Sequence, residues 1–511
     1  MNAKHSHSTK SKAWKSLLLT GAVFCALPLS GQEAWREGRN VAGLANEEAS
    51  GKQAEATLGG EFTSGEFRTY SDAKTLWSIQ AAANAETHFK DLVLVGNFGF
   101  RQEFGSQMMG SMFTSPGDFP VDVLEFTPGN KSKQTYDVGG GLVWKNGSRW
   151  IPGFTARFRG VNYAKRKDLR HTTYRQEMEW VPSILYQGNG WRIGASYILE
   201  KTSEFIQAEQ IGSAKAQTYY AFLDKGLRYG ALQTWDGSGI HLSEPGVDRF
   251  AVKRFTNGGA LQFSLGEGLY ADTEFLYSSG EVGEKGYTWF RFPEWSISSK
   301  LLYSFEKNGH THSFHISYDW SSSMLFENVI EKVSSGGVTR PVILGNNLVH
   351  ESKVGEFNVG YSLETEKGFV LETNLFIDRS IDQNTVMYPY VDWDGGTHLF
   401  FNVDTEIPLG KQWLLKAGFL TGAGAFSEQF NITTVDTMHI TAEPTRLADW
   451  YDMEQEVADA FRLDVSLAVR FTLPRLPLYI EAGCNWLHAF NVTLVPGTDR
   501  QTTHLTLGYK F

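Results

Sequence analysis

The chain has 511 residues and carries 47 Lys and Arg against 57 Asp and Glu, a formal charge of −10 that argues against nucleic acid as a partner. Its 14% aromatics and 52 glycines suit long strands joined by tight turns, and no run of 18 apolar residues follows the N-terminal region, so no transmembrane helix is expected. Of the two cysteines, Cys25 lies in the N-terminal apolar run, which leaves Cys484 alone in the rest of the chain, so internal disulfides are excluded as the source of stability.

Residues 1–15 hold Lys4, Lys10, Lys12 and Lys15 and no acid, and Ser16 to Leu29 form a short apolar run ending at Pro28-Leu29-Ser30-Gly31. This is the pattern of a secretory signal peptide, residues 1–31, with cleavage near Gly31. Cys25 does not make it a lipoprotein signal, because Phe24 stands where such a signal needs a small residue. The mature chain then starts at about Gln32 with 43 basic and 57 acidic residues, a balance of −14. Residues 32–52 read as a periplasmic N-terminal segment and 53–511 as one domain.

From there the chain alternates between apolar and polar positions in long stretches. A first strand is expected near Ala54 to Phe62. Strand patterns recur in Trp191 to Glu200, Phe369 to Asp378 and Leu399 to Ile407. The clearest begins at Phe461, where Phe461, Leu463, Val465, Leu467, Val469 and Phe471 oppose Arg462, Asp464, Ser466, Ala468, Arg470 and Thr472. Short turns are expected at His88–Asp91, Lys145–Ser148, Gly188–Gly190, Gly266–Gly268, Asn308–His310, Glu366–Gly368, Gly410–Gln412 and Pro474–Pro477. Between them fall longer segments at 63–75, 105–134, about 162–172, 205–255, 279–292, 322–350, 380–396, 428–459 and 493–501. Strict alternation of short and long connections predicts an all-β fold, a transmembrane antiparallel up-and-down β-barrel of about 18 strands, with 16 or 14 as alternatives. Its short turns would face the periplasm and its long loops the outside.

Aromatic placement supports that frame. Trp144 and Trp150 flank one short turn, Tyr186 and Trp191 another, and Trp413 follows a third, as expected of an interfacial girdle. At the C-terminus Thr503, Leu505, Leu507, Tyr509 and Phe511 share one face of a strand that needs apolar surroundings and a pairing partner. His504, Tyr509 and Phe511 occupy the polar, penultimate aromatic and terminal aromatic places of the C-terminal assembly signal of outer-membrane β-barrel proteins, which this chain resembles. The glycine of that signal would fall at Thr506 and stands instead at Gly508, so the match is partial. In size and loop length the chain is similar to poorly characterised Bacteroidota-type barrels, some of which accompany TonB-dependent transporters. The resemblance implies the outer membrane of a Gram-negative bacterium. As partners it implies membrane lipid and lipopolysaccharide, the barrel-assembly machinery, and a TonB-dependent transporter or surface lipoprotein.

Signs of chemistry are few. The sequence has no G-x-S-x-G, HExxH, CxxC or phosphate-binding loop, so neither an enzyme nor a cofactor is expected. His310 and His312 fall on one strand face and His315 on the other, which does not converge three metal ligands. Asp392 and Asp394 in VDWDGGTH read as a turn. The acids of ADWYDMEQEVADAF read as a solvated helix face. Tyr220, Leu223 and Leu227 follow helical spacing in an external loop that would plug the lumen or cap a partner. Met108, Met109, Met112 and Phe113 offer a second adaptable apolar surface.

The inward face would carry Arg157, Arg159, Arg175, Glu177, Glu179, Arg462, Asp464 and Arg470, charges of both signs that either mark a solute path or fill a closed barrel. The expected role is therefore solute transport, or membership of an outer-membrane transport assembly. A non-conducting scaffold that presents loops to a partner is the alternative, and a barrel-borne hydrolase a distant third.

Overall fold

A computed structural model describes residues 34–46, 52–145, 147–167, 169–209, 219–227, 229–235, 250–284, 287–385, 391–430 and 447–511. The signal-peptide expectation for 1–31 lies outside them. Twenty strands occur among the described residues: β1 (Lys52–Gly65), β2 (Thr75–His88), β3 (Leu92–Ser111), β4 (Asp122–Trp144), β5 (Trp150–Lys165), β6 (Arg170–Gln187), β7 (Trp191–Glu209), β8 (Tyr219–Asp224), β9 (Gly230–Trp235), β10 (Phe250–Leu265), β11 (Leu269–Glu284), β12 (Tyr287–Lys307), β13 (His310–Ser335), β14 (Val338–Thr365), β15 (Val370–Asn384), β16 (Asp392–Pro408), β17 (Trp413–Gln429), β18 (Arg462–Thr472), β19 (Leu478–Ala489) and β20 (Asp499–Lys510). Helical pieces are α1 (Ala34–Glu37), a 3-10 turn at Val41–Asn46, and α2 (Leu447–Asp459).

Each strand pairs antiparallel with the next, except that β7 pairs directly with β10 while β8 and β9 form a hairpin attached to β4. β20 pairs with β1 from Glu55↔Lys510 to Gly65↔Arg500, so 18 strands close into a barrel with no open edge. The Phe511 N–H donates to the Ala54 carbonyl at 2.7 Å and completes the seam.

All eight short turns fall where the sequence places them, and the aromatic pairs Trp150–Tyr186 and Trp413–Phe471 stand at that end with ring centroids 4.7 and 4.6 Å apart. A second set, Phe62–Trp77 and Tyr277–Trp295, marks the other rim. Between the two sets the outward side chains are apolar and exposed on strand after strand, as with Phe314, Ile316, Leu399, Phe401 and Leu505 at 58% exposure. An apolar band around the whole circumference is stable only in lipid, and a closed barrel satisfies its backbone there. The protein is an outer-membrane barrel.

Several expected long loops are strand instead. β3 reaches Ser111 and β4 starts at Asp122, only four residues separate β5 from β6, and β13 meets β14 at Gly336-Gly337, whose φ values of 60° and 81° make a two-residue hairpin. Above the membrane both faces meet water or lumen contents, so the hydrophobic period ends while the ladder continues. β13 and β14 run on together from Asn328↔Asn346 to Ser335↔Val338, beyond the last β12 pair at Glu327 and the last β15 pair at His350, as a two-stranded ribbon. Asp392 and Asp394 sit in the β15–β16 ladder opposite Asn384 and Asp382 and do not form a turn. An epitope inserted between Gly336 and Gly337 is expected to be labelled by antibody on intact cells, and epitopes at Asn189 or Glu267 only after lysis; labelling at all three sites would invert or refute this topology.

Candidate functional site

Two blocks of structure fill the lumen from opposite ends. At the turn end lies the N-terminal segment, with Trp35, Val41, Ala42 and Leu44 packed on Val93, Val143, Ile151, Leu185, Tyr270 and Leu302. Trp35 is 1% exposed, sets its ring edge-on to Tyr270 at 5.5 Å, and donates its indole N–H to the Ser264 hydroxyl at 3.2 Å. The Asn40 amide donates to the Ile184 carbonyl at 2.9 Å, and Arg39 pairs with Glu179 and, at 2.9 Å, with Glu274. The wall is carved to admit the segment: a Cβ on Gly153 would lie 2.7 Å from the Val41 side chain, and one on Gly194 would lie 2.8 Å from the Trp35 ring.

The loop-end block has three parts. Residues 112–121 turn inward, with Phe113 against Phe119 and Phe250 and with Phe119 against Phe292. Phe119 also lies beneath the guanidiniums of Arg175 and Arg254, 5.5 and 5.3 Å from its centroid, and both arginines pair with Asp118. The second part is the β8–β9 hairpin, which buries Ala221 and Leu223 in the same cluster and Phe222 in the next. The expected helical face at 218–235 is therefore wrong. These residues pair as an antiparallel ladder from Tyr219↔Trp235 to Asp224↔Gly230, and Gly226 and Leu227 have positive φ values of 95° and 51° that a helix forbids.

The third part is α2. Leu447, Trp450, Met453 and Val457 form a buried stripe, so the acidic run is a helix with only one wet face and the reading of it as merely solvated is corrected. Trp450 stacks on Tyr70 at 4.8 Å, and Met453 and Val457 join Phe67, Leu487 and Val495. Two polar clasps tie the helix down. His398 sits between Asp378, 2.7 Å from Nδ1, and the α2 residue Asp459, 2.9 Å from Nε2. The Glu456 carboxylate accepts N–H bonds from Thr493, Leu494 and Val495 at 2.6, 2.7 and 2.9 Å.

Burial opposes charge on Glu456, but those three N–H bonds and the Thr493 hydroxyl outweigh it and hold the carboxyl below its usual range. A depressed carboxyl contributes stability that is present above its unfolded value, near 4.3, and is lost as pH falls through the folded value. Hydrogen exchange across 447–459 is therefore expected to quicken as pH falls below about 4 after correction for intrinsic rates, and Glu456→Gln should show the faster exchange already at neutral pH. Unchanged protection in the variant would show that the apolar stripe alone seats α2.

The eight charged residues read from the sequence lie on the faces opposite the apolar band. Arg157 pairs with Asp137, with Nε 2.9 Å from Oδ1, and Arg159 lies 3.7 Å from Glu177. Arg175 contacts Asp118, Glu177 and, at 3.2 Å, Glu204. Glu179 holds Arg39, and Arg470 holds Glu481 at 2.8 Å. Arg462 is buried over the Phe400 ring at 4.3 Å, with Asp464 on the same face of β18. At the C-terminal signal, His504 points inward, 3.8 Å from Glu481, while Tyr509 and Phe511 face out with ring centroids 4.5 Å apart. His312 meets the Tyr361 hydroxyl at 2.8 Å and His315 faces Asn358. Among the described residues no group of three or more His, Cys, Asp or Glu is arranged to hold a metal ion.

Sequence reading missed Arg39, Asp118, Glu204 and Arg254. Glu204 and Arg254 continue the inward period of their strands and were accessible to the same reasoning. Arg39 and Asp118 belong to segments that enter the lumen, for which the sequence has no periodic signal. A cavity of about 260 Å³ lies under α2, between residues 69–76, the end of β3, the inward loop and β20.

No curated protein matches the chain in sequence. In fold it is similar to the RagAB peptide importer in its closed-closed state, with 9% identity, 90% of this chain and 75% of that one covered, and a TM-score of 0.41. It is similar also to the ferripyoverdine receptor of the Pseudomonas aeruginosa outer membrane, with 10% identity, coverage of 91% and 72%, and a TM-score of 0.43. The alcaligin outer-membrane receptor FauA of Bordetella pertussis gives 10% identity, coverage of 91% and 77%, and a TM-score of 0.42. A family model matches residues 41–511, all of the described barrel together with the 3-10 turn in its lumen, and the chain belongs to that family, described as a family of unknown function, DUF6850.

Proposed function

We propose that the protein is a gated solute-transport barrel of the outer membrane. One observation carries this reading: both obstructions are segments of the chain lodged in the lumen, and neither is part of the wall. An 18-strand barrel is wide enough for an aqueous channel when such segments are absent. The turn-end segment packs on β3 to β6, β11 and β12, while the opposite flank keeps half-buried polar groups facing inward, among them Glu61, Asp404, Arg470 and His504. Polar groups that retain water beside a removable block suit a path that opens.

Planar-bilayer currents test this. Wild type is expected to conduct weakly or not at all. Deletion of 34–46, or Gly194→Leu, which fills the space of the Trp35 ring, should raise the current severalfold, and deletion of 218–235 should do so from the other end. Silence from all of them, with folded barrels, would end the transport reading. The scaffold reading would then lead, and the β13–β14 ribbon favours it: Val329, Val333 and Leu344 are exposed on an element that projects beyond its neighbours. A TonB-dependent transporter or a surface lipoprotein is the class of partner that ribbon would meet, and co-purification from native membranes with and without residues 328–347 would reveal it.

A further inference from the structure

The cavity beneath α2 is enclosed largely by apolar side chains, among them Leu76, Met108, Phe113, Phe119, Leu124 and Trp450. Charged groups of both signs reach it, and what distinguishes them is how their hydrogen bonds are already used. Glu103 is paired with Arg101 at 3.1 Å, Asp122 accepts the Ser111 hydroxyl at 2.7 Å, and Asp224 accepts the Gly226 N–H at 2.8 Å. Asp72 is held through Oδ2 by the N–H and the hydroxyl of Thr69 at 2.9 and 2.8 Å, and Glu454 is engaged as well. Lys131 is matched by Glu125 at 3.0 Å. Two cations remain whose only hydrogen bond among the described residues is to a backbone carbonyl. Lys133 donates to the Thr114 carbonyl at 2.7 Å. Arg500, 4% exposed at the start of β20, donates through Nη2 to the Ala73 carbonyl at 3.0 Å, and its Nε and Nη1 meet no acceptor among the described residues. Asp72 and, more weakly, Glu66 supply Arg500 with nearby opposite charge but not with a hydrogen bond, and Arg68 close by works against it.

A buried guanidinium with unmade hydrogen bonds is unfavourable, and an anion that brings acceptors removes the penalty. Arginine suits a carboxylate because its planar fork matches two oxygens at once. The charged groups on the remaining walls already have partners and most of the surface between them is apolar and aromatic, so the rest of the ligand is apolar too.

We propose that this cavity binds a small organic anion, an aromatic or branched hydrocarbon body bearing a carboxylate, with the carboxylate at Arg500, the body among Phe113, Leu124 and Trp450, and Lys133 as a second cation lining the cavity. The assignment deepens the transport reading by naming the class of solute, and it rests on that reading only for the solute's passage onward. Binding is measured in detergent without any current, so its failure is separable from a failure to conduct.

The probes are 2-naphthoate and its neutral analogue 2-naphthamide, titrated calorimetrically into the full barrel against detergent blanks. Charge-assisted hydrogen bonds should make the naphthoate bind at least about tenfold more tightly. Arg500→Met should abolish that preference, Arg500→Lys should restore part of it, and Lys133→Met should weaken the naphthoate a few fold. Heat-modifiable gel migration reports folding of each variant. If Arg500→Met does not fold, Phe113→Trp, which fills the cavity, should lose both probes while Lys133→Met still lowers the preference. Equal binding of acid and amide, no binding of the naphthoate, or a preference that survives Arg500→Met in a folded barrel overturns the proposal.

Discussion

Arg175→Met is expected to destabilise the barrel by about 3 kcal/mol and to free residues 112–121 from the wall. Arg175 is buried, and its guanidinium is shared by Asp118, Glu177 and Glu204, with Nε 2.6 Å from Glu177 and Nη1 3.2 Å from Glu204. Removing one partner from a buried charged cluster costs roughly 3–5 kcal/mol, since the remaining charges lose their compensation without regaining water. The lower end applies because each acid keeps a second contact: Asp118 keeps Arg254, Glu177 keeps Arg159, and Glu204 keeps the Thr114 N–H. The variant should unfold at lower denaturant, show new proteolytic cleavage within 112–121 of the intact barrel, and conduct more if that loop is a gate. Arg159→Met is the comparison, because Arg159 is half-buried and 3.7 Å from its partner, so its loss should cost no more than about 1 kcal/mol. Equal effects of the two substitutions would show that the cluster around Asp118 does not hold the loop.

The contrast between Arg175 and Asp118 explains which parts of the molecule can be read from sequence. Arg175, Glu177 and Glu179 recur every second residue opposite apolar neighbours, so the strand period alone puts them inside. Turns such as Gly188–Gly190 are equally legible, because tight connections demand particular residues. Asp118 occupies a non-periodic stretch, TSPGDFP, and its inward position depends on Phe113, Phe119 and two distant arginines. The same holds for Arg39. Strand ends were misjudged for a different reason: in β13 and β14 the ladder continues past the lipid, where hydrophobicity no longer selects one face, so a pattern-based boundary stops early. The hairpin at 219–235 was misread because both of its faces are buried, Leu223 in one cluster and Phe222 in another, which erases the alternation that identifies a half-buried strand.

Val465→Arg and Ser466→Arg, adjacent positions in the middle of β18, should differ severalfold in the amount of folded barrel. Val465 is 40% exposed on the apolar band, opposite Phe419 and Trp486 on the neighbouring strands, so an arginine there lies in hydrocarbon. A charge on the lipid face near the midplane costs roughly 2–4 kcal/mol, and the nascent strand must also carry it into the membrane. Ser466 is 8% exposed on the inner face, opposite Gly418, whose missing side chain leaves a space that the Ser466 hydroxyl and the Asp404 carboxylate share, and a longer side chain extends from there into the lumen. The Asp404 carboxylate borders that space from the far side of Gly418, so an arginine at 466 finds a counter-charge within the lumen. Folded Val465→Arg protein in outer-membrane fractions should fall severalfold and unfold at lower denaturant, while Ser466→Arg should assemble near the wild-type level. Comparable loss from both would mean that steric fit in the lumen, not the lipid boundary, governs β18. Tolerance of both would move β18 out of the bilayer. Because residue 466 faces the same flank as Arg470 and His504, Ser466→Arg also serves as a probe of the path: in a barrel lacking residues 34–46 it should shift ion selectivity toward anions, whereas in a barrel that never conducts it would change nothing but charge.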